Sequence, residues 1–382
     1  MNTFKLPKTA LGPVAIAMLA ASPAALADTE FKFGGYVKAD VIVSDYSNGA
    51  PADSNLSRQF YVPGTIYGDS TRASTVTDFQ ARETRFNFTS TSDLDGHKLK
   101  FFLELDFFTH SDGNQRVSNS YSPRLRHATV TFDNWTAGQT WSTFQNPGAL
   151  PEALDFVGAA EGTPFVRQGL IRYTAGGLQL ALENPKATFT AADGSRVESD
   201  SSYIPDFVAR YNFKAGDASF SVAGLLRQLE IDEGPFDESE TGYGVSVAGV
   251  IPVFNRDMLK FMLNYGDGAG RYIALNFVNG ATIGNFGGAD TISSVSGFVS
   301  YQHWWSDRWR SNITASAFEA DNPSMLANSN ANETAYSGNI NLLYSPVKPV
   351  TIGVEYLYAL NEQADGDDGE LNRFMLSFKY AL

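Results

Sequence analysis

Residues 99–107 read LKFFLELDF. Leu99, Phe101, Leu103, Leu105 and Phe107 fall on one side of an extended chain, and Lys100, Glu104 and Asp106 fall on the other. Successive side chains of a strand point to opposite faces, so this pattern predicts a strand whose two faces meet different surroundings. The same period of two recurs in Phe207, Ala209, Tyr211 and Phe213 against Asp206, Arg210 and Asn212, and in Ile352, Val354, Tyr356 and Tyr358 against Thr351 and Glu355. No stretch carries the 3.6-residue period over four turns of helix.

Extending the search predicts sixteen such strands, near 31–43, 82–91, 97–108, 123–133, 134–141, 166–174, 177–183, 203–213, 217–229, 241–251, 257–266, 291–305, 308–319, 334–345, 350–360 and 371–382. Their connections alternate. Even-numbered strands are followed by brief turns such as Asp133-Asn134 and Ala215-Gly216, and odd-numbered strands by long polar stretches. A soluble sandwich would scatter its long loops over both ends. The expected fold is therefore all-β: a 16-stranded antiparallel transmembrane β-barrel with long extracellular loops and short periplasmic turns. The fourth strand fits least well, since Arg124 and Arg126 share a parity with Val130 and Phe132. Either a β-bulge or packing against a neighbouring subunit accounts for that. The last strand places Phe374, Leu376, Phe378, Tyr380 and Leu382 on one face.

The compartment follows from the other end. Lys5 and Lys8 precede an apolar run from Ala10 to Ala20, and Ala25-Leu26-Ala27 is a small-x-small site, so residues 1–27 are expected to be a cleaved secretory signal peptide and 28–382 the barrel domain. Formal net charge is −14, and loss of the two leader lysines makes the exported chain more acidic still, which argues against nucleic-acid binding. There is no cysteine, which removes disulfides and thiolate chemistry. Outer-membrane lipid and lipopolysaccharide are the expected surroundings.

Charge separates by location. Assigning the face with fewer charges to lipid sends Lys38, Arg85, Lys100, Arg124, Arg126, Arg172, Arg210, Arg227, Lys260, Arg310, Arg373 and Lys379 to the lumen, with Asp40, Glu83, Glu104, Asp106, Glu183, Asp206 and Glu355. The remaining acids concentrate in the long loops, as in Glu230, Asp232, Glu233, Asp237, Glu238 and Glu240. Basic side chains in a confined pore raise the local anion concentration, and arginine's planar fork suits carboxylates. Small anionic solutes are the expected cargo. A weakly selective general channel, a channel for hydrophobic or aromatic molecules, and an adhesin are the alternatives. An enzyme needs a nucleophile and base in reach, and His97, His110, His127 and His303 lie in no HExxH or GxSxG pattern. The acidic run 365–370 is read as solvated surface with no metal, GDGAGR at 266–271 as a loop tip, and no cofactor is expected.

The strings FKFGGYVKADV (31–41), RETRFNF (82–88), LRHATVTFDNWTAGQTWSTF (125–144), PEALDF (151–156) and RQGLIRYT (167–174) resemble the DcaP-like family of bacterial outer-membrane porins. The resemblance is densest over 31–174. It implies a trimer of sixteen-stranded barrels, uptake of small anions including dicarboxylates, and a third loop, about 142–165, folded inward to narrow each pore. Carried onto this chain, it implies pore-lining Arg85, Arg124, Arg126, Arg167 and Arg172, to which strand alternation adds Arg210 as a pore-lining residue. The acids Glu152, Asp155 and Glu161 of the loop are expected to face them across the constriction. Some members carry a helical extension before the barrel, which is not expected here because Phe31 follows the cleavage site almost directly.

Overall fold

The computed structural model describes residues 29–66, 72–108, 121–233, 236–285 and 287–382; the expected signal peptide and His110 lie outside them. Its strands are β1 (Thr29–Tyr46), β2 (Ser74–Gln80), β3 (Arg85–Leu94), β4 (His97–Asp106), β5 (Arg124–Phe132), β6 (Trp135–Trp141), β7 (Arg167–Ala175) and β8 (Leu178–Glu183). They continue as β9 (Ala187–Ala191), β10 (Arg196–Ser199), β11 (Asp206–Ala215), β12 (Ala218–Glu233), β13 (Phe236–Val253) and β14 (Asp257–Asp267). The chain ends with β15 (Ala281–Ile283), β16 (Ala289–Thr291), β17 (Ser293–Trp304), β18 (Trp309–Asp321), β19 (Asn332–Tyr344), β20 (Val350–Gln363) and β21 (Asp368–Ala381).

Antiparallel pairing runs from each wall strand to the next and closes where β1 meets β21, from Tyr36 opposite Ala381 to Tyr46 opposite Leu371. The other edge of β1 is shared: β3 pairs with Thr29–Tyr36 and β2 with Asp40–Tyr46. Thus β2 and β3 are two halves of one wall strand interrupted at 81–84, and the closed barrel has sixteen. The remaining β9, β10, β15 and β16 form a small sheet of their own in the long loops. It packs Phe189, Ala281 and Ile283 onto Leu229 and Ile231 of β12. Period-two reading missed it because its strands are three to five residues long.

The short turns sit within a residue or two of their expected positions. At the first, Asp95 (φ 53) and Gly96 (φ 83) both take the left-handed conformation that a two-residue hairpin needs to match strand twist. At the opposite rim β12 and β13 stay paired to Glu233 opposite Phe236, so the acids at 230–240 project on an extended hairpin and do not form the expected loop. GDGAGR is not a loop tip either: Ala269 and the Tyr272 that follows the segment are fully buried, and Arg271 donates to the carbonyls of Lys186 and Asn184.

The wall is inverted relative to a water-soluble sheet. Along β17 and β18, Val295, Val299 and Ile313 are about half exposed, while Ser296, Ser300, Asn312, Thr314 and Ser316 are buried. Apolar side chains point out and polar ones in, as a hydrocarbon exterior and a hydrated interior require. The irregular β5 is explained by a bulge. Glu104 pairs with His127 and Leu105 with Leu125, so Arg126 is the extra residue, and Arg126 and His127 are both buried on the inner side. No neighbouring subunit is needed to account for its alternation.

Candidate functional site: an arginine cluster facing an inward loop

The segment 142–166 between β6 and β7 runs inside the barrel along its inner wall. Its backbone polar groups would be unsatisfied away from water, and the inward polar side chains supply their partners. Asn264 donates to the Gly162 carbonyl (2.9 Å), Asn339 to that of Gly158 (3.1 Å) and Asn341 to that of Glu152 (2.9 Å). Lys260 reaches the Leu150 carbonyl (2.8 Å) and Lys38 that of Leu154 (2.6 Å). Buried Glu355 accepts from both Leu154 N and Asp155 N at 2.8 Å. A Cβ on Gly162 would stand 2.3 Å from the Gly297 carbonyl carbon and 2.5 Å from Phe298 N, so loop and wall backbones touch there and only glycine fits.

The loop acids differ from expectation. Asp155 and Glu161 are buried against the wall and do not face arginines across open space. Asp155 accepts from Tyr61 N (2.9 Å) and pairs with Arg373 (3.4 Å). Glu161 accepts from the Tyr61 hydroxyl (2.6 Å) and the Ser337 hydroxyl (2.7 Å). Burial pushes both carboxyls above their usual range. Glu152 is more open, but Arg310 clamps it at 2.5 and 2.7 Å and Gln302 donates at 2.9 Å. All three acids fasten the loop. The physical reason is that a carboxylate on an enclosed loop is better stabilised by hydrogen bonds and guanidinium from the adjacent wall than by a distant field.

Across from these fastenings, the arginines separate into two groups. Arg124 makes a two-pronged contact with Asp106 (2.8 and 2.7 Å), and Arg126 bridges Glu104 (2.8 Å) and Asp106 (2.9 Å). Arg85 lies 3.6 Å from Glu104. Arg167 sits over the Trp141 ring at 4.8 Å, within electrostatic reach of Arg126, Arg124 and Arg85, and forms no ion pair among the described residues. Four guanidinium groups therefore meet two carboxylates. The loop answers them with an aromatic ring: Phe156 lies 5.3 Å from Arg126, 5.8 Å from Arg85 and 6.0 Å from Arg124. Phe60, Phe108 and Phe165 hold that ring in place.

Arg172 and Arg210 stand apart at the root of the loop. Arg172 donates to Thr143 Oγ1 (2.7 Å) and the Trp141 carbonyl (2.6 Å), and Arg210 donates to the Gln145 carbonyl. Other inward cations are spent on structure: Arg373 serves Ser44, Tyr46 and Ser57, and Arg227 lies beside Asp206. Counting inward cations along the strands therefore overstates the free positive charge of the lumen.

Sequence reading missed the contribution of the first long loop, whose Tyr61 locks both Asp155 and Glu161. Its one signal was the aromatic run Phe60-Tyr61 in a polar stretch. Among the described residues no group of acids or histidines is arranged to hold a metal ion. His303 pairs with Asp257 (2.8 Å) beside Trp305 at the short-turn rim.

No curated protein sequence matches the chain. A family model described as DcaP outer membrane protein matches residues 20–382. Among solved structures, the outer membrane channel DcaP of Acinetobacter baumannii is 23% identical, with a TM-score of 0.77 over 94% of this chain and 99% of that one. The anion-selective porin of Comamonas acidovorans is 11% identical, with a TM-score of 0.57 over 93% and 100%. The trimer form of OmpT from Vibrio cholerae is 9% identical, with a TM-score of 0.53 over 93% and 100%. The chain thus belongs to the DcaP outer membrane protein family and is a non-enzymatic β-barrel channel of the outer membrane.

Proposed function

We propose that the barrel passes small anionic solutes, carboxylates foremost, by passive diffusion through the lumen past loop 142–166, drawn by the cluster of Arg85, Arg124, Arg126 and Arg167. The observation that carries this is the charge imbalance: four guanidinium groups against Glu104 and Asp106. In a confined, partly desolvated space such a surplus concentrates anions and repels cations. The acids nearby do not cancel it, since Glu83 and Asp40 are both paired with Lys38. Anion selectivity in the Comamonas porin of similar fold is consistent with this reading.

Assembly as a homotrimer is part of the same proposal. On the side of the cluster the wall strands β5 to β8 are 9, 7, 9 and 6 residues long, two of them below and two at the lower limit of the roughly 9–11 residues a tilted strand needs to cross the hydrocarbon core. Copies of the chain packed along this side would shield it from lipid. The trimer form of the OmpT relative is consistent with that.

The test is the reversal potential of the purified channel in a planar bilayer under a potassium chloride gradient. Anion selectivity is expected, with Arg167→Gln and Arg126→Ala each moving the potential toward the cation side. Cation selectivity of the unaltered channel refutes the proposal.

A further inference from the structure

We propose a second anion station, built from Arg172, Arg210 and Gln145, on the short-turn side of the constriction. It rests on the anion reading above and adds a site to it.

Strand register puts the two arginines together. Arg172 pairs with Ala181 and Ala181 with Val208, while Gln179 pairs with Arg210. Both arginines therefore lie on the inner face, diagonal to one another across Ala181, whose small side chain leaves the space between them open. Arg172 also pairs with Thr136, and Thr136 with Thr131. Thr131 is five positions nearer the turn than Arg126, roughly 15 Å along a strand. The two groups of arginines are thus separate levels of one lumen.

The chemistry at this level is unbalanced. Neither Arg172 nor Arg210 forms an ion pair among the described residues; their bonds go to carbonyls and a hydroxyl. The one acid that acts on both, Glu183, accepts from Thr143 N and Gln168 Nε2, both at 2.7 Å. Gln145, which the loop root lays beside Arg210, is fully buried, yet both atoms of its side-chain amide lack a partner, as do Arg210 Nε and Gln179 Oε1. Two half-buried cations facing the single carboxylate of Glu183, and a buried amide without a partner, are costly unless a ligand supplies what is missing. A carboxylate meets the donor half of that need, accepting from the guanidinium groups and from Gln145 Nε2, while the two amide oxygens call for a donor such as water. Past it, a recess of about 550 Å³ lined by Asn146, Gly148, Asn212, Lys214 and Ser219 reaches the Gly176-Gly177 turn. An anion leaving the constriction meets the station and then Lys214.

Crystals of the full barrel soaked in bromide and mapped by anomalous diffraction test the site directly, and malonate block in planar bilayers tests its use. A bromide peak between Arg172 and Arg210 is expected, and Gln145→Leu should shorten malonate dwell times about tenfold, the worth of one hydrogen bond to a charged group. That variant keeps the main-chain carbonyl Arg210 uses and removes only unpartnered atoms, so its folding, checked by heat-dependent gel mobility, should be intact. Bromide at the Arg85–Arg167 level alone, or unchanged dwell times in Gln145→Leu, overturns the station while leaving anion selectivity standing. Cation-selective reversal potentials with no bromide at either level overturn both.

Discussion

Replacing Glu355 by Gln probes the fastening of the constriction at its most economical point. One carboxylate accepts two main-chain N–H groups at the loop apex, Leu154 and Asp155, each at 2.8 Å, and a third donor from Asn341 at 3.0 Å. An amide offers one acceptor oxygen and an NH2 that cannot accept. One N–H loses its charge-assisted partner, worth about 1.5–3 kcal/mol, and the other falls to a neutral bond of about 0.5–1.5 kcal/mol. Burying a neutral group costs less than burying a charge, which offsets part of that loss. A net weakening of about 2 kcal/mol follows, or about 30-fold in the ratio of docked to released loop apex. Hydrogen exchange read by mass spectrometry on the peptide covering 142–166 should accelerate by about that factor, and single-channel current should become larger and noisier. If exchange of that peptide changes by less than about threefold while the barrel remains folded, the loop is not held through Glu355 and the account of the constriction is wrong.

Other consequences are equally measurable. Tyr61→Phe removes the donor to buried Glu161 and should cost about 1–3 kcal/mol in urea unfolding; a loss below 0.5 kcal/mol would show that the first long loop does not lock the third. Glu161 is raised above its ordinary value of 4.5 by burial, so the folded state holds that proton more tightly than the unfolded one. Its contribution to stability is then fully present below pH 4.5 and lost as pH rises through the raised value. The stability difference between the unaltered channel and Glu161→Gln should shift toward the variant on going from pH 4.5 to 7, and a flat difference would contradict the burial argument. Ile313→Arg on the outer face should destabilise the barrel in vesicles by about 2–4 kcal/mol; no cost would mean that β18 does not face lipid. Gly162→Ala should disturb loop docking against Gly297 and raise conductance, whereas Gly96→Ala should leave conductance unchanged.

Alternation of side chains such as Leu99, Phe101 and Leu103 against Lys100 and Glu104 is a local property, written in every strand, and it was enough to determine sixteen strands, their two faces, the seven short turns and the barrel. Loop 142–166 was also legible, as a long stretch without period between two strands. What the sequence left open was which charges remain free. Arg373, Arg310, Lys260 and Lys38 share the inward parity of Arg85, Arg124 and Arg126, yet the fold engages the first four in holding a loop. Asp155 and Glu161 looked like an acidic pore face and became buried anchors, because their partners, Tyr61, Ser337 and Arg373, come from distant parts of the chain. Strand periodicity is set by neighbours two residues apart and survives in one dimension. The anchoring of the loop is set by groups from 94 residues apart, Tyr61 and Asp155, to 218, Asp155 and Arg373, and only closing the barrel and folding the loop into it decides which guanidinium groups are left for a solute.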